Sequence, residues 1–289
     1  MKIAVASGKG GTGKTTVATG LAYIISEKGI PVSYLDCDVE EPDGHIFLKP
    51  EIETEKPVGV LVPKVDLNKC KNRKRCGEVC QYGAIVNTEK TALIFPELCH
   101  SCGGCSLACP ENAITEVMRE TGTIREGKSG RIGFIEGRMN IGEVRAIPVI
   151  KEVKKRCPAD GITVIDAPPG TSCPMVETVR GTDFAILVTE PTPFGLNDLK
   201  LAISVIRQLS LPFGVVINRY QRGFPEVEDF LSSEKIPVLS RIPLDRRIAI
   251  AYSHGRLIPQ AVPEIKRNFS EIFHKVKEII DEGVSGSKR

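Results

Sequence analysis

Residues 8–15 read G-x-x-x-x-G-K-T, and their setting constrains the fold more than any other feature of the chain. An apolar run at residues 3–6 precedes them, and a helical pattern continues to about Lys28, where Gly29-Ile30-Pro31 stops it. A strand, a glycine loop and a helix in that order form the context in which this motif holds phosphate. Gly8, Gly10, Gly11 and Gly13 let the backbone around Thr12 wrap its N–H groups about phosphate oxygens. The helix N-terminus, running through Thr16, adds positive potential. Lys14 is expected to reach the terminal phosphates and the Thr15 hydroxyl to ligate Mg²⁺, so ATP with Mg²⁺ is the expected ligand.

Further apolar runs at residues 32–36, 162–166, 184–189, 213–218 and 238–242 suit strands buried on both faces of a parallel sheet. Helix-period segments at residues 196–209 and 263–280 lie between or after them, which predicts an α/β fold with a doubly wound, mainly parallel sheet. The alternation fails between about residues 57 and 120, where cysteine, glycine, proline and charge take over. A chain of 289 residues accommodates one large core and a small insert. The expected division is residues 1–60 and 119–289 for the body and 61–118 for a small α+β insert. Residues 122–142 read as a glycine-punctuated hairpin or pair of short strands belonging to the body, with a helix near residues 143–156. The Gly/Ser/Lys-rich residues 283–289 are expected to be disordered.

Seven of the ten cysteines fall within residues 70–109, a density that points to metal ligation rather than disulfides. Cys99, Cys102, Cys105 and Cys109-Pro110 form C-x-x-C-x-x-C-x-x-x-C-P, which resembles the bacterial ferredoxin run, whose fourth cysteine serves the other cluster of a pair. Zinc, the competing metal, prefers two separated pairs. Cys70, Cys76 and Cys80 repeat the pattern at the same spacings, and Ala-Ile follows the last cysteine of each half, at Ala84-Ile85 and Ala113-Ile114. The second cysteine of the first half is replaced by Arg73. Exchange of fourth ligands gives a complete site, Cys80, Cys99, Cys102 and Cys105, expected to hold [4Fe–4S]. It leaves Cys70, Cys76 and Cys109 as an incomplete site, because an arginine cannot act as a thiolate. A [3Fe–4S] cluster, a labile cluster and an empty site all stay open there.

Lys9 adds a second lysine to the phosphate loop, and K-G-G-T-G-K-T-T resembles the deviant Walker A of the MinD, ParA and nitrogenase-iron-protein class of P-loop ATPases. The resemblance implies that Lys9 reaches the nucleotide of a second subunit in an ATP-bound homodimer. It also implies that Asp38 positions the attacking water, that Asp36 supports the Mg²⁺ shell, and that Asp166, before Ala167-Pro168-Pro169-Gly170, holds Mg²⁺. Asn218 and the Pro243-Leu244-Asp245 turn match positions that contact adenine in that class. Taken over nearly its whole length, the chain resembles MinD-superfamily ATPases carrying an inserted two-cluster ferredoxin domain, and is related in pattern to Mrp-type iron–sulfur carriers, although their C-x-x-C pair is missing.

The resemblance implies ATP hydrolysis coupled to dimerisation and to iron–sulfur work, with two readings open: clusters as cargo for an apo iron–sulfur target, or clusters as permanent wires for ATP-gated electron delivery. A MinD-like positioning ATPase on membranes is a third, which leaves the cysteines unexplained. The basic residues Lys69, Lys71, Arg73, Lys74 and Arg75 read equally as a solvated loop or as a docking patch for an acidic redox protein. A formal charge of +3 gives no reason to expect nucleic acid, and no apolar run of about 18 residues predicts a membrane span, so a cytoplasmic protein is expected. Cys173 and Cys157 read as packing residues and His100 as a neighbour of the complete site. The apolar stripe of the last helix reads as packing on the sheet rather than as a membrane anchor.

Overall fold

The protein is described by a computed structural model over residues 1–221 and 223–286. Its strands are β1 (Lys2–Ala6), β2 (Val32–Asp36), β3 (Glu51–Val65), β4 (Ile85–Asn87), β5 (Ala92–Ile94), β6 (Ile114–Ser129), β7 (Ile132–Met139), β8 (Ile162–Asp166), β9 (Phe184–Thr189), β10 (Phe213–Tyr220) and β11 (Val238–Pro243). Nine of them form one sheet in the order β11-β10-β9-β1-β8-β2-β7-β6-β3, whereas β4 and β5 pair separately and antiparallel. From β11 to β7 the recorded pairings are parallel. The chain divides into two compact units. The larger holds Met1–Lys56, Ile124–Arg138 and the chain from Ile150 onward, and the smaller holds Pro57–Thr123 and Met139–Val149.

In the larger unit the central strands fill a hydrophobic layer on each face. Ile3 and Val5 of β1 join Leu21, Ile25, Tyr34 and Phe269, while Ala4 and Ala6 join Met175, Leu199, Ile203 and Leu231. A strand buried twice over has no place for alternating polar residues, hence the continuous apolar runs. The helix Lys14–Glu27 lies against the last helix, Lys266–Gly286, so closely that a Cβ at Gly20 would meet the Phe269 ring at 2.4 Å. Phe269, Ile272, Phe273 and Val276 are buried, so the apolar stripe belongs to the core. Among the described residues no helix is long and apolar enough to cross a membrane. The last helix continues through Gly286 where disorder was expected from residue 283, and residues 287–289 lie outside the described residues.

The hairpin or pair of short strands expected at residues 122–142 is a hairpin whose strands are longer than expected, β6 of 16 residues and β7 of 8, joined at Gly130-Arg131. Such a two-residue connection suits antiparallel neighbours. The strands β3, which ends the sheet, and β6 beside it escaped notice because they face each other with polar side chains. Glu53 pairs with Lys128 at 3.3 Å and Glu55 with Arg125 at 3.7 Å, the ion pairs an exposed edge favours over apolar alternation. The helix expected near residues 143–156 is Ile147–Lys155.

The smaller unit is wider than residues 61–118, and one buried carboxylate accounts for part of the difference. Glu143 pairs with Arg119 and, at 3.1 Å, with Arg145, whose guanidinium also donates to the Cys99 carbonyl. These contacts hold residues 139–149 within the cysteine unit. Its internal repeat extends to the backbone at an offset of 29 residues. Left-handed conformations recur at Asn72 and Ser101, at Lys74 and Gly103, and at Gly83 and Asn112. Short helices Arg75–Val79 and Gly104–Ala108 follow, ending on Cys80 (φ −77°, ψ 101°) and Cys109 (φ −80°, ψ 109°).

Candidate functional site

The loop after β1 faces the C-terminal ends of the parallel strands, where open α/β sheets bind ligands. There Ser7, Lys9, Gly10, Gly11, Gly13, Lys14, Thr15 and Thr16 line one cavity together with Asp38, Asn218, Pro243 and Asp245, enclosing about 1370 Å³ of atom-free space, open solvent included. Gly8 packs behind the loop, where a Cβ would lie 2.2 Å from the Asp198 carbonyl oxygen. Asn218, expected at adenine, also fastens the loop, since its Nδ2 donates to the Thr12 carbonyl at 2.7 Å. Asp245 caps the helix Arg246–Ser253, accepting from the Arg247 N–H at 2.7 Å and pairing with its guanidinium at 2.8 Å.

Register brings the acidic residues together, because Asp36 of β2 lies beside Asp166 of β8. The Lys14 ammonium sits 2.7 Å from Asp166 Oδ1 and 3.4 Å from Asp38 Oδ2. Burial alone would lower the Lys14 pKa, but Asp166 and Asp38 outweigh it and hold the group cationic. Sequence reasoning missed two members of the cluster. Tyr34 is fully buried, and its hydroxyl donates to Asp166 Oδ2 at 3.0 Å and lies 3.3 Å from Asp36 Oδ2. Asp43 precedes the short helix Gly44–Leu48 and reads as a cap, yet its side chain makes no capping hydrogen bond. Instead Asp36, Asp43 and Asp166 bring ligand oxygens within 4.8 Å of one another, and Asp43 Oδ1 is buried without a partner. Three converging carboxylates beside Thr15, one with an orphaned oxygen, suit a hard divalent cation such as Mg²⁺.

Burial pushes Asp38 up to about 6, with Asp166 adding to the shift and Lys14 opposing it. The folded carboxyl therefore binds a proton that the unfolded one has lost, and stability falls as pH rises between about 4 and about 6. Asp38→Asn removes that penalty. In metal- and nucleotide-free buffer the variant is expected to be about 1–3 kcal/mol more stable than wild type at pH 7.5, with the difference vanishing near pH 4, as read by calorimetric melting.

The cysteine unit holds two chambers. Cys80, Cys99, Cys102 and Cys105 line one, and Cys70, Cys76 and Cys109 line the other with Arg73. Their atom-free volumes, open solvent included, are similar at about 390 and 380 Å³. Main-chain N–H groups point at a sulfur of each chamber, from Ser101 to Cys99 at 3.4 Å and from Ala113 to Cys109 at 3.3 Å. Four convergent thiols, with amides ready to stabilise sulfur charge, suit an iron–sulfur cluster. The basic loop is partly neutralised: Lys69 pairs with Asp66 at 3.7 Å, Lys71 with Glu111 at 3.0 Å, and Arg73 with Glu111 at 3.3 Å. His100 stacks on Tyr82 beside the four-thiol chamber. Cys157 contacts the Thr163 hydroxyl at 3.3 Å, and Cys173 is exposed.

A family model described as the CobQ/CobB/MinD/ParA nucleotide binding domain matches residues 3–258. An uncharacterised protein of Methanocaldococcus jannaschii is 31% identical over 258 residues, which cover 88% of this chain and 90% of that one. A protein of Aquifex aeolicus named an iron-sulfur cluster carrier protein is 26% identical over 304 residues, covering 98% and 69% respectively. Among solved structures, the cell division ATPase MinD of Pyrococcus furiosus superposes with a TM-score of 0.60 at 22% identity, covering 96% of this chain and 98% of that one.

Proposed function

Since the chain belongs to the CobQ/CobB/MinD/ParA nucleotide-binding family, we propose that it couples ATP binding and hydrolysis to the delivery or assembly of iron–sulfur clusters held in an inserted ferredoxin-like domain. The observation that carries this reading is the sorting of seven cysteines into chambers of four and three, each completed by a cysteine from the opposite half of the repeat.

In the nucleotide unit, the loop amides and Lys14 hold the phosphates. Thr15, Asp36, Asp43 and Asp166 would hold Mg²⁺, which would neutralise charge developing on the phosphates. Lys14 exchanges its carboxylate partners for phosphate, and Asp38, freed from that contact, orients the attacking water. Lys9 lines the cavity and, among the described residues, its ammonium has no acidic partner, which leaves it available to the nucleotide of a second copy. Lys9→Ala is therefore expected to keep nucleotide affinity within a few-fold of wild type but to lose ATP-dependent dimerisation, measured by light scattering with a slowly hydrolysed ATP analogue. Dimerisation at wild-type strength would remove Lys9 from this role.

In the cysteine unit, Cys80, Cys99, Cys102 and Cys105 hold [4Fe–4S]. Cys102 is exposed whereas Cys99 and Cys105 are buried, so an acceptor thiol gains access at one corner, which favours the cluster as cargo over the permanent wire. ATP influences delivery only insofar as it binds the two assembly states with different affinity. Iron and sulfide analysis with paramagnetic resonance on anaerobically prepared protein tests the premise, and zinc without sulfide would sink it.

A further inference from the structure

The offset of 29 residues gives every side chain in one half of the cysteine unit a counterpart in the other. Among the counterparts around the chambers that differ in charge, three meet at one place. Arg73 stands where the other half has Cys102, Lys71 where it has His100, and Glu111 where it has Tyr82. These differences touch one another. Beside the four-thiol chamber Tyr82 and His100 stack with ring centroids 3.8 Å apart. At the equivalent place Lys71 Nζ lies 3.0 Å from Glu111 Oε2, and Arg73 Nε lies 3.3 Å from Glu111 Oε1. A stacked ring pair and a thiol are thus replaced together by a carboxylate held between two cations.

Arg73 offers no lone pair to a metal. Among the described residues lining the three-thiol chamber, Glu111 is the only carboxylate, and it already leans on the side chain that occupies the missing ligand's position. A carboxylate oxygen is a harder donor than thiolate and suits iron(II) without the grip of a fourth sulfur. Resting on the reading that these cysteines hold clusters, we propose that Glu111 is an exchangeable fourth donor of the second site. It ligates one iron(II) when that ion is present and returns to Lys71 and Arg73 when the ion leaves. The step balances without electron transfer: a reduced, neutral [3Fe–4S] core plus Fe²⁺ gives [4Fe–4S]²⁺. The entering Fe²⁺ sheds its bound water, bonds three core sulfides and forms one Fe–O bond to Glu111, two ion pairs break, and no proton moves because the carboxylate is already ionised. The second chamber thereby takes up and releases a single iron, while the first holds a whole cluster.

The test titrates Fe²⁺ into anaerobically reconstituted, dithionite-reduced protein and follows loss of the three-iron paramagnetic signal after reoxidation, alongside total iron and sulfide. Glu111→Gln is expected to weaken uptake of the fourth iron by on the order of 10–100-fold, a penalty seen even for lost outer-shell partners. Lys71→Ala is expected to tighten it several-fold, since one competing ion pair is gone. Arg73→Cys is expected to hold the fourth iron whether or not Glu111 is present. The four-iron signature of the complete site serves as the folding control in each variant. Wild-type iron affinity in Glu111→Gln overturns the proposal, as does a second site without sulfide while the first is loaded. Absence of iron and sulfide from both sites overturns the underlying reading as well.

Discussion

Lys14→Ala is expected to lower ATP hydrolysis by at least ~10²–10³-fold, the cost of deleting one preorganised charge partner of a transferring group. The same change is expected to destabilise the nucleotide-free protein by about 3–5 kcal/mol, because it leaves buried carboxylates without their cation. That double effect follows from the geometry: Lys14 is buried, lies 2.7 Å from Asp166 and 3.4 Å from Asp38, and Asp36 stands beside Asp166 with, among the described residues, no other cation paired to either. A pH series separates the contributions. The lysine, held cationic above its ordinary range, contributes throughout the neutral region. Asp36, Asp38 and Asp43 are all raised, first by burial, so they neutralise as pH falls and no longer need a counter-charge. The destabilisation in Lys14→Ala should therefore be largest at pH 7–8 and shrink toward pH 5, read by thermal melting with chelator present. Hydrolysis, by contrast, stays low at every pH.

Cys80→Ser and Cys109→Ser should exchange phenotypes relative to their positions in the sequence. Cys80 lies in the first half of the repeat but lines the chamber of Cys99, Cys102 and Cys105. Its replacement is expected to abolish the stable four-iron signal and to remove up to about four irons per chain. Cys109 closes the second-half run but lines the chamber with Cys70 and Cys76. Its replacement is expected to leave the four-iron signal intact and to delete only the second site. If each serine instead damaged the cluster of its own half, the exchanged arrangement would be wrong.

The larger unit was legible where its chemistry is local. Residues 8–16 announce a phosphate loop because glycines, lysine and threonines must sit at fixed offsets between a strand and a helix, and the twice-buried strands announce themselves by lacking polar residues. What escaped depends on register. Tyr34 looks like an ordinary strand residue until β2 and β8 are aligned, when its hydroxyl falls between two carboxylates. Asp43 stands outside every motif of the sequence, and only folding turns its oxygen toward Asp36 and Asp166. Glu143 and Arg145 belong to the cysteine unit through contacts to Arg119 and the Cys99 carbonyl, tens of residues away in sequence. A polar sheet-edge strand such as β3, with its neighbour β6, resembles a loop, since ion pairs there replace the apolar pattern that marks buried strands.

The most direct test of ATP-coupled cluster delivery is to mix reconstituted, iron-labelled protein anaerobically with an apo-ferredoxin acceptor and count labelled iron and sulfide on the acceptor with and without Mg-ATP. Iron and sulfide are expected to appear together on the acceptor, faster with hydrolysable ATP than without, and to lose that acceleration in Lys14→Ala and Lys9→Ala. Clusters that stay on the protein through reversible reduction, with acceptor loading indifferent to ATP, would contradict delivery and leave electron transfer as their role.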